Sequence, residues 1–329
     1  MMNRRLFIKS SSLVAAAVSI DVQAIAAESY KQKFPKLRFG ICADLHYDIM
    51  PDGLSRINKF IDAMQAEKVD FIVQMGDFCK VLPQNQPLLD AWSRFKGPRY
   101  HVIGNHDTDG GSTREQVVEF WKMPAKYYSF DQKGYHFVVL DANEGEATPV
   151  RKYPSMLSHQ QLSWLEKDLE STTLPVMVFV HQGLDSDSGV ENAMKVRYIL
   201  EQANAKSKTK KVHMVFSGHH HKDYMNTING IHYIQINSMS NHFMGKKYMA
   251  PSFNEAVLAK YPKLKEVCPY KEPLWATVAI DTSGIFKLSG QKSSFLGKSP
   301  SERGRPRLDD IVPAVPYVSD WTIDLTSGG

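Results

Sequence analysis

The chain repeatedly runs a short apolar stretch into a polar cluster. Residues 36–43 (KLRFGICA) lead into Asp44-Leu45-His46, and residues 69–75 (VDFIVQM) lead into Gly76-Asp77. Residues 99–103 lead into Gly104-Asn105-His106-Asp107. Residues 175–180 lead into His181, and residues 211–217 lead into Gly218-His219-His220-His221. Each apolar stretch has the length of a buried strand. Catalytic groups are often carried on loops held by a rigid scaffold. In open α/β sheets, ligands bind beyond the carboxyl ends of the strands. This arrangement requires a sheet whose strand ends converge.

The segments between support that requirement. Ile57, Phe60, Ile61 and Met64 fall at helical spacing within residues 54–67. A further helix is expected over 87–95, giving a β-α-β-α-β opening. Thr113 with Gln116, and Ser158 with Gln161, have capping-box spacing and open two more helices. Strands are expected over 127–130 and 135–141 around a Gly134 turn, followed by a loop over 144–154 and a helix over 190–203. Asn229-Gly230 separates two alternating runs and predicts a two-residue hairpin. A helix is expected over 251–260, and a second hairpin over 274–280 and 285–289 around Gly284. The α/β units and the later β-rich stretches predict two packed sheets with helices outside.

With 329 residues the chain can form one large domain or two modest ones. Its net charge of +5 is mild and no long Lys/Arg block occurs, so charge indicates neither a nucleic acid nor a membrane surface as partner. Three cysteines, Cys42, Cys79 and Cys268, make no disulfide framework. They read as small buried thiols, with a Cys42–Cys79 bridge open if their strands are neighbours.

The first 26 residues read as an export signal. Arg4-Arg5-Leu6-Phe7-Ile8-Lys9 precedes a moderately apolar run that ends in Ala24-Ile25-Ala26, an A-x-A cleavage pattern. The paired arginines resemble a bacterial twin-arginine signal. Cleavage would remove Arg4, Arg5, Lys9 and Asp21 and leave a net charge of +3. The expected location is periplasmic or secreted, with no stable membrane span after cleavage. A main domain is expected over 27–290. The Pro- and charge-rich tail, 291–329, reads as an arm docked on it, because Trp321, Ile323 and Leu325 alternate with polar residues.

The strand-end inventory comprises carboxylates, an amide oxygen and imidazoles, which suit divalent transition metals. Cysteines are too few for a thiolate site, and no G-x-S-x-G nucleophile elbow occurs. Two metals sharing a carboxylate would fit a site that clamps a phosphoryl group.

The ordered set Asp44-x-His46, Gly76-Asp77, Gly104-Asn105-His106-Asp107, His181 and Gly218-His219-x-His221 resembles the calcineurin-like metallophosphoesterase superfamily, over roughly residues 37–240. The resemblance implies a four-layer α/β/β/α sandwich with two mixed sheets and a dinuclear metal site at the strand ends. It implies that Asp44, His46 and His221 hold one metal, that Asn105, His181 and His219 hold the other, and that Asp77 bridges them. The ions would be Mn, Fe or Zn. His106 would protonate the leaving oxygen, and Asp107 would orient it. The implied reaction is in-line attack on phosphorus by a bridging hydroxide.

Departures narrow the subfamily. Phe78-Cys79-Lys80-Val81 lacks the Arg of the serine/threonine protein phosphatases, and Asp107 replaces their Glu. Lys80 stands where purple acid phosphatases have a Tyr ligand. The texture around Tyr128–Phe130, Phe137–Asp141 and Gln161-Leu162-x-Trp164-Leu165 is similar to the cyclic-nucleotide phosphodiesterase-like and manganese-dependent ADP-ribose/CDP-alcohol diphosphatase-like groups. His46 departs from the second group, which tends to have Gln there. The expected substrate is a small phosphodiester or diphosphate, with nucleotides among the candidates. A periplasmic phosphomonoesterase is the alternative, and a non-catalytic scaffold a third reading. His220 could face substrate. His101, His136, His213 and His232 read as hydrogen-bonded core residues and His159 as exposed, while His242 has no assigned place.

Overall fold

The structure is a computed structural model that describes residues 32–149, 151–306 and 312–327. The expected export signal lies outside the described residues. The chain runs β1 (Leu37–Cys42), α1 (Gly53–Ala66), β2 (Phe71–Gln74), α2 (Gln86–Ser93), β3 (Arg99–His101) and α3 (Arg114–Trp121). It continues through β4 (Tyr128–Gln132), β5 (Tyr135–Leu140), α4 (His159–Ser171), β6 (Val176–Val180), α5 (Ala193–Ala205) and β7 (Val212–Ser217). Next come β8 (Tyr224–Ile228), β9 (Ile231–Gln235), β10 (Asn241–Phe243), α6 (Glu255–Lys260) and β11 (Val267–Pro269). The last are β12 (Ala276–Ile280), β13 (Ile285–Gly290) and β14 (Trp321–Asp324).

Two six-stranded mixed sheets result. The first has the order β14-β13-β12-β1-β2-β3, and the second β4-β5-β6-β7-β9-β8. In the first sheet β1, β2 and β3 are parallel and β12, β13 and β14 join antiparallel. In the second, β5, β6, β7 and β9 are parallel, with β4 and β8 antiparallel at the edges.

Side-chain alternation along each strand separates the layers. Phe137, Val139, Met177, Phe179, Met214 and Phe216 turn into the core shared with the first sheet. Val138, Leu140, Val176, Val178, Val180 and Val215 turn outward beneath Leu162, Leu165 and Leu169 of α4 and Val196, Ile199 and Leu200 of α5. Phe39 of β1 lies between the sheets, edge-on to Phe137, Phe179 and Phe216 at 5.9 Å each. Full burial of such a ring contributes about 2–3 kcal/mol. Helices α1 and α2 cover the other face of the first sheet through Phe60, Met64, Leu88 and Trp92. The expected four-layer α/β/β/α sandwich is the observed one.

Local signals set several boundaries. Thr113 and Gln116 exchange both capping bonds at the start of α3. Ser158 completes only half of the expected box: its Oγ accepts from Gln161 N, but its own N–H donates to Glu144. Gln161 is drawn inward to Asp141 and Glu144 instead. Asn229 and Gly230, with φ of 48° and 77°, turn the β8–β9 hairpin. The helix expected over 251–260 starts only at Glu255, because Asn254 caps it by accepting from Val257 N. Strand β14 adds an antiparallel edge beside β13. The three cysteines are free and buried, so Cys42 and Cys79 are not bridged.

Candidate metal centre

The strand ends hold their polar residues in unusual backbone. Asp44, His46, Asp77, His219 and His221 all have positive φ, between 49° and 73°. Non-glycine residues adopt this region infrequently, Asp and His among the more tolerant, and such strain gathers at functional sites. Two glycines make room. A Cβ on Gly76, itself at φ 98°, would come within 2.5 Å of His181 Nδ1. A Cβ on Gly104 would overlap the backbone nitrogen and carboxylate of Asp77.

These turns gather two sets of ligand atoms. Asp44, His46 and His221 form one and Asp77, His181 and His219 the other, with the atoms of each within 4.8 Å of one another. Asp77 Oδ2 lies 3.6 Å from His46 Nε2 and 3.3 Å from His181 Nε2, and so faces both sets. Asn105 Oδ1 is 3.2 Å from His181 Nε2. All seven residues expected to ligate metal thus meet at one place.

The surrounding bonds orient the rings for ligation. His221 Nδ1 donates to Asn241 O at 2.6 Å, and His181 Nδ1 to Met75 O at 2.7 Å. Each ring therefore turns its Nε2 inward, the orientation of metal-ligating histidines. His221 Nε2 lies 3.0 Å from His46 Nε2. Behind the first set, Ser238 Oγ and Ser240 Oγ donate to Asp44 O and Leu45 O, each at 2.8 Å. Buried Arg56 on α1 steadies that segment by donating to Met239 O and Tyr270 O.

Protonation fits the same use. Burial pushes His46 down to about 3 and His219 well below the usual imidazole range, so both are neutral donors. Burial also works against ionisation of Asp77, but His181, His106 and His46 outweigh it and hold the carboxyl well below its ordinary range. His181 shows the opposite balance: burial opposes its charge, yet Asp77 and Asp44 hold it up at about 10. Asp77 Oδ2 and Asp44 Oδ1 lie 3.3 and 4.0 Å from His181 Nε2, so two buried carboxylates converge where a divalent cation would balance their charge. The donors therefore fit divalent metal.

His106 stands beside the centre, its ring 5.3 Å from that of His46. One expectation is corrected here. Asp107 does not orient His106, because its carboxylate accepts the backbone N–H groups of Gly104, Asp77 and Phe78 at 2.7, 2.9 and 2.8 Å. It is a brace for the loop that carries Asp77. The partner of His106 is Asp109, whose Oδ2 lies 2.8 Å from Nδ1. His220 packs against Ser188 and Tyr224. His242 is buried behind the ligands, with Nδ1 2.9 Å from His221 O.

A cleft of about 240 Å³ opens beside the centre. Its floor includes His46, Asp77 and His106, and its rim carries Lys80, Lys152, Lys260, Lys263, Tyr153 and Tyr261. Phe243 forms an apolar wall, with its ring 5.4 Å from His46 and 5.1 Å from His221. Apart from Lys80, these rim residues went unsingled in the sequence, since they come from loops without periodicity or, for Lys260, from the last residue of α6. Asp109 carried one faint signal, three residues beyond His106 and just before Gly110-Gly111.

Residues 37–223 match the family model described as calcineurin-like phosphoesterase. The chain belongs to that family. A manganese-dependent ADP-ribose/CDP-alcohol diphosphatase of Oryza sativa subsp. japonica is 31% identical over 139 residues, 34% of this chain and 43% of that protein. The chain thus spans under half the length of this relative. A protein of the same name from Arabidopsis thaliana is 24% identical over 266 residues, 60% of this chain and 85% of that protein. A dimetal phosphatase from Danio rerio shares the fold, with a TM-score of 0.58 at 16% identity, over 81% of this chain and 100% of the other. Family, fold and the two ligand sets make this a metallophosphoesterase with places for two divalent metal ions.

Proposed function

We propose that the protein hydrolyses a phosphodiester or diphosphate bond in a small, nucleotide-like substrate. The observation that carries this reading is Asp77 facing two ligand sets beside the His106 imidazole, which is itself held by Asp109. Asp44, His46 and His221 would hold one ion, Asn105, His181 and His219 the other, and Asp77 both. Two such ions supply positive charge for the phosphoryl oxygens and lower the pKa of an attacking water.

The chain's own groups do the rest. Water adds its oxygen to phosphorus and gives up a proton to the surrounding solvent. As the bond from phosphorus to the leaving oxygen breaks, the electron pair stays on that oxygen. His106 Nε2 delivers a proton to it. Burial works against a charged His106, but its bond to Asp109 and the nearby Asp77 carboxylate outweigh this and raise its pKa. The ring is thereby suited to hold a proton until the leaving group needs one.

The rim favours a diester or diphosphate over a monoester. Lys80, Lys152, Lys260 and Lys263 line the same cleft as His106, with Tyr153, Tyr261 and Phe243. Lys263 is engaged by Glu266 at 3.1 Å. The set suits a second anionic group followed by a flat ring. The names of the plant relatives agree with such a substrate. Export rests on Arg4-Arg5 and the Ala24-Ile25-Ala26 pattern alone.

The test uses purified protein loaded separately with Mn²⁺, Zn²⁺ and Fe²⁺, with Asp77→Asn as control. Nitrophenyl phosphate, its bis-ester and a nucleoside diphosphate ester are compared. Preference for either of the last two supports the reading. Preference for the monoester would replace it with a phosphatase.

A further inference from the structure

His106 is enclosed by groups that no ligand role requires. Its Nδ1 lies 2.8 Å from Asp109 Oδ2. Tyr153 Oη donates to the other oxygen, Asp109 Oδ1, at 2.9 Å and lies 3.2 Å from Nδ1 itself. Lys152 Nζ in turn donates to Tyr153 Oη at 3.2 Å. The Tyr153 ring sits 4.9 Å from the imidazole, tilted by 60°, and Phe243 lies nearly parallel to it at 6.4 Å.

The backbone builds this arrangement locally. Asp109 N–H donates to His106 O at 3.1 Å, closing a turn that returns the Asp109 side chain to the imidazole. Gly110 and Gly111, at φ 92° and 90°, then lead the chain away. Tyr153 arrives from a separate loop 44 residues further on. Two independent segments thus converge on one ring nitrogen.

We propose that Asp109 and Tyr153 are positioning residues that fix the tautomer and tilt of His106, so that Nε2 carries the transferable hydrogen toward the leaving oxygen. The proposal rests on the reading of His106 as proton donor. A carboxylate 2.8 Å from Nδ1 accepts the hydrogen on that atom, which leaves Nε2 as the ring nitrogen free to face the leaving oxygen. Tyr153 fixes the carboxylate as the carboxylate fixes the ring. Asp109→Asn keeps the shape but can offer an N–H to Nδ1, which reverses that tautomer. Tyr153→Phe keeps the ring and removes the hydroxyl with its contacts to Asp109, His106 and Lys152.

The test compares the metal-loaded protein with His106→Ala, Asp109→Asn, Tyr153→Phe and the double variant His106→Ala/Asp109→Asn. Each is assayed on nitrophenyl and unsubstituted phenyl esters, with folding checked by thermal unfolding and metal content measured. General acid catalysis contributes on the order of 100-fold or more when the leaving group is poor. Asp109→Asn should therefore lower kcat at least tenfold further on the phenyl ester than on the nitrophenyl ester. Tyr153→Phe should show the same split, smaller. The double variant should be no slower than His106→Ala, since residues that act as a unit are not additive. Equal losses on both esters, or additive losses in the double variant, would overturn the proposal. If His106→Ala itself shows no split, the proton-donor reading fails and the proposal fails with it.

Discussion

The carboxylate of Asp107 accepts the backbone N–H of Asp77 at 2.9 Å. A buried acid from one strand end thus holds the backbone of the carboxylate that faces both ligand sets. Asp107→Ala would leave three buried N–H groups, those of Gly104, Asp77 and Phe78, without an acceptor. Each such loss costs about 1–3 kcal/mol. The variant should unfold at a clearly lower urea concentration and bind metal more weakly. Urea titration with and without Mn²⁺ checks both.

Gly104→Ala tests the same junction from the other side. The added methyl would overlap the backbone of Asp77. The strand end must shift, and metal affinity should fall at least tenfold while most of the fold persists. Calorimetric Mn²⁺ titration beside circular dichroism measures the two separately.

Metal should stabilise the protein. Ligand at 100 times its Kd adds about 2.7 kcal/mol for one site. The thermal midpoint should rise on Mn²⁺ addition and return on chelation. In Asp77→Asn the rise should be much smaller, because both ligand sets share that carboxylate.

His136 predicts a pH effect remote from the centre. Burial opposes its charge, but Asp168 at 2.9 Å and Asp131 at 2.6 Å outweigh that and raise its pKa. A raised folded-state value makes this contribution complete below the ordinary imidazole pKa of about 6.5 and lost as pH rises through the raised value. The stability difference between wild type and His136→Gln should be largest below about pH 6.5 and shrink as pH rises above it. Urea midpoints across that range decide it.

The residues of the two candidate ligand sets could be picked out in the sequence because they follow strand signals, and a strand end fixes where the next residues go. Hairpins with Asn-Gly or Gly turns were equally legible, since their backbone need is local. Residues whose position depends on distant partners were not. Asp107 and Asp109 are alike as sequence, and only the loop geometry assigns one to the backbone and the other to His106. Gln161 has the right spacing for a capping box, but Asp141 and Glu144 compete for it across the fold. Tyr153 and Phe243 lie in segments without periodicity, so no pattern pointed to the cleft.

The left-handed backbone at Asp44, His46, Asp77, His219 and His221 bears on how this centre can be dissected. Alanine at any of these positions changes two things together, the donor atom and the ease of holding the turn. Asparagine tolerates that conformation far better. A series of asparagine replacements would therefore isolate ligand chemistry from backbone cost, and an alanine series would overstate what each donor contributes.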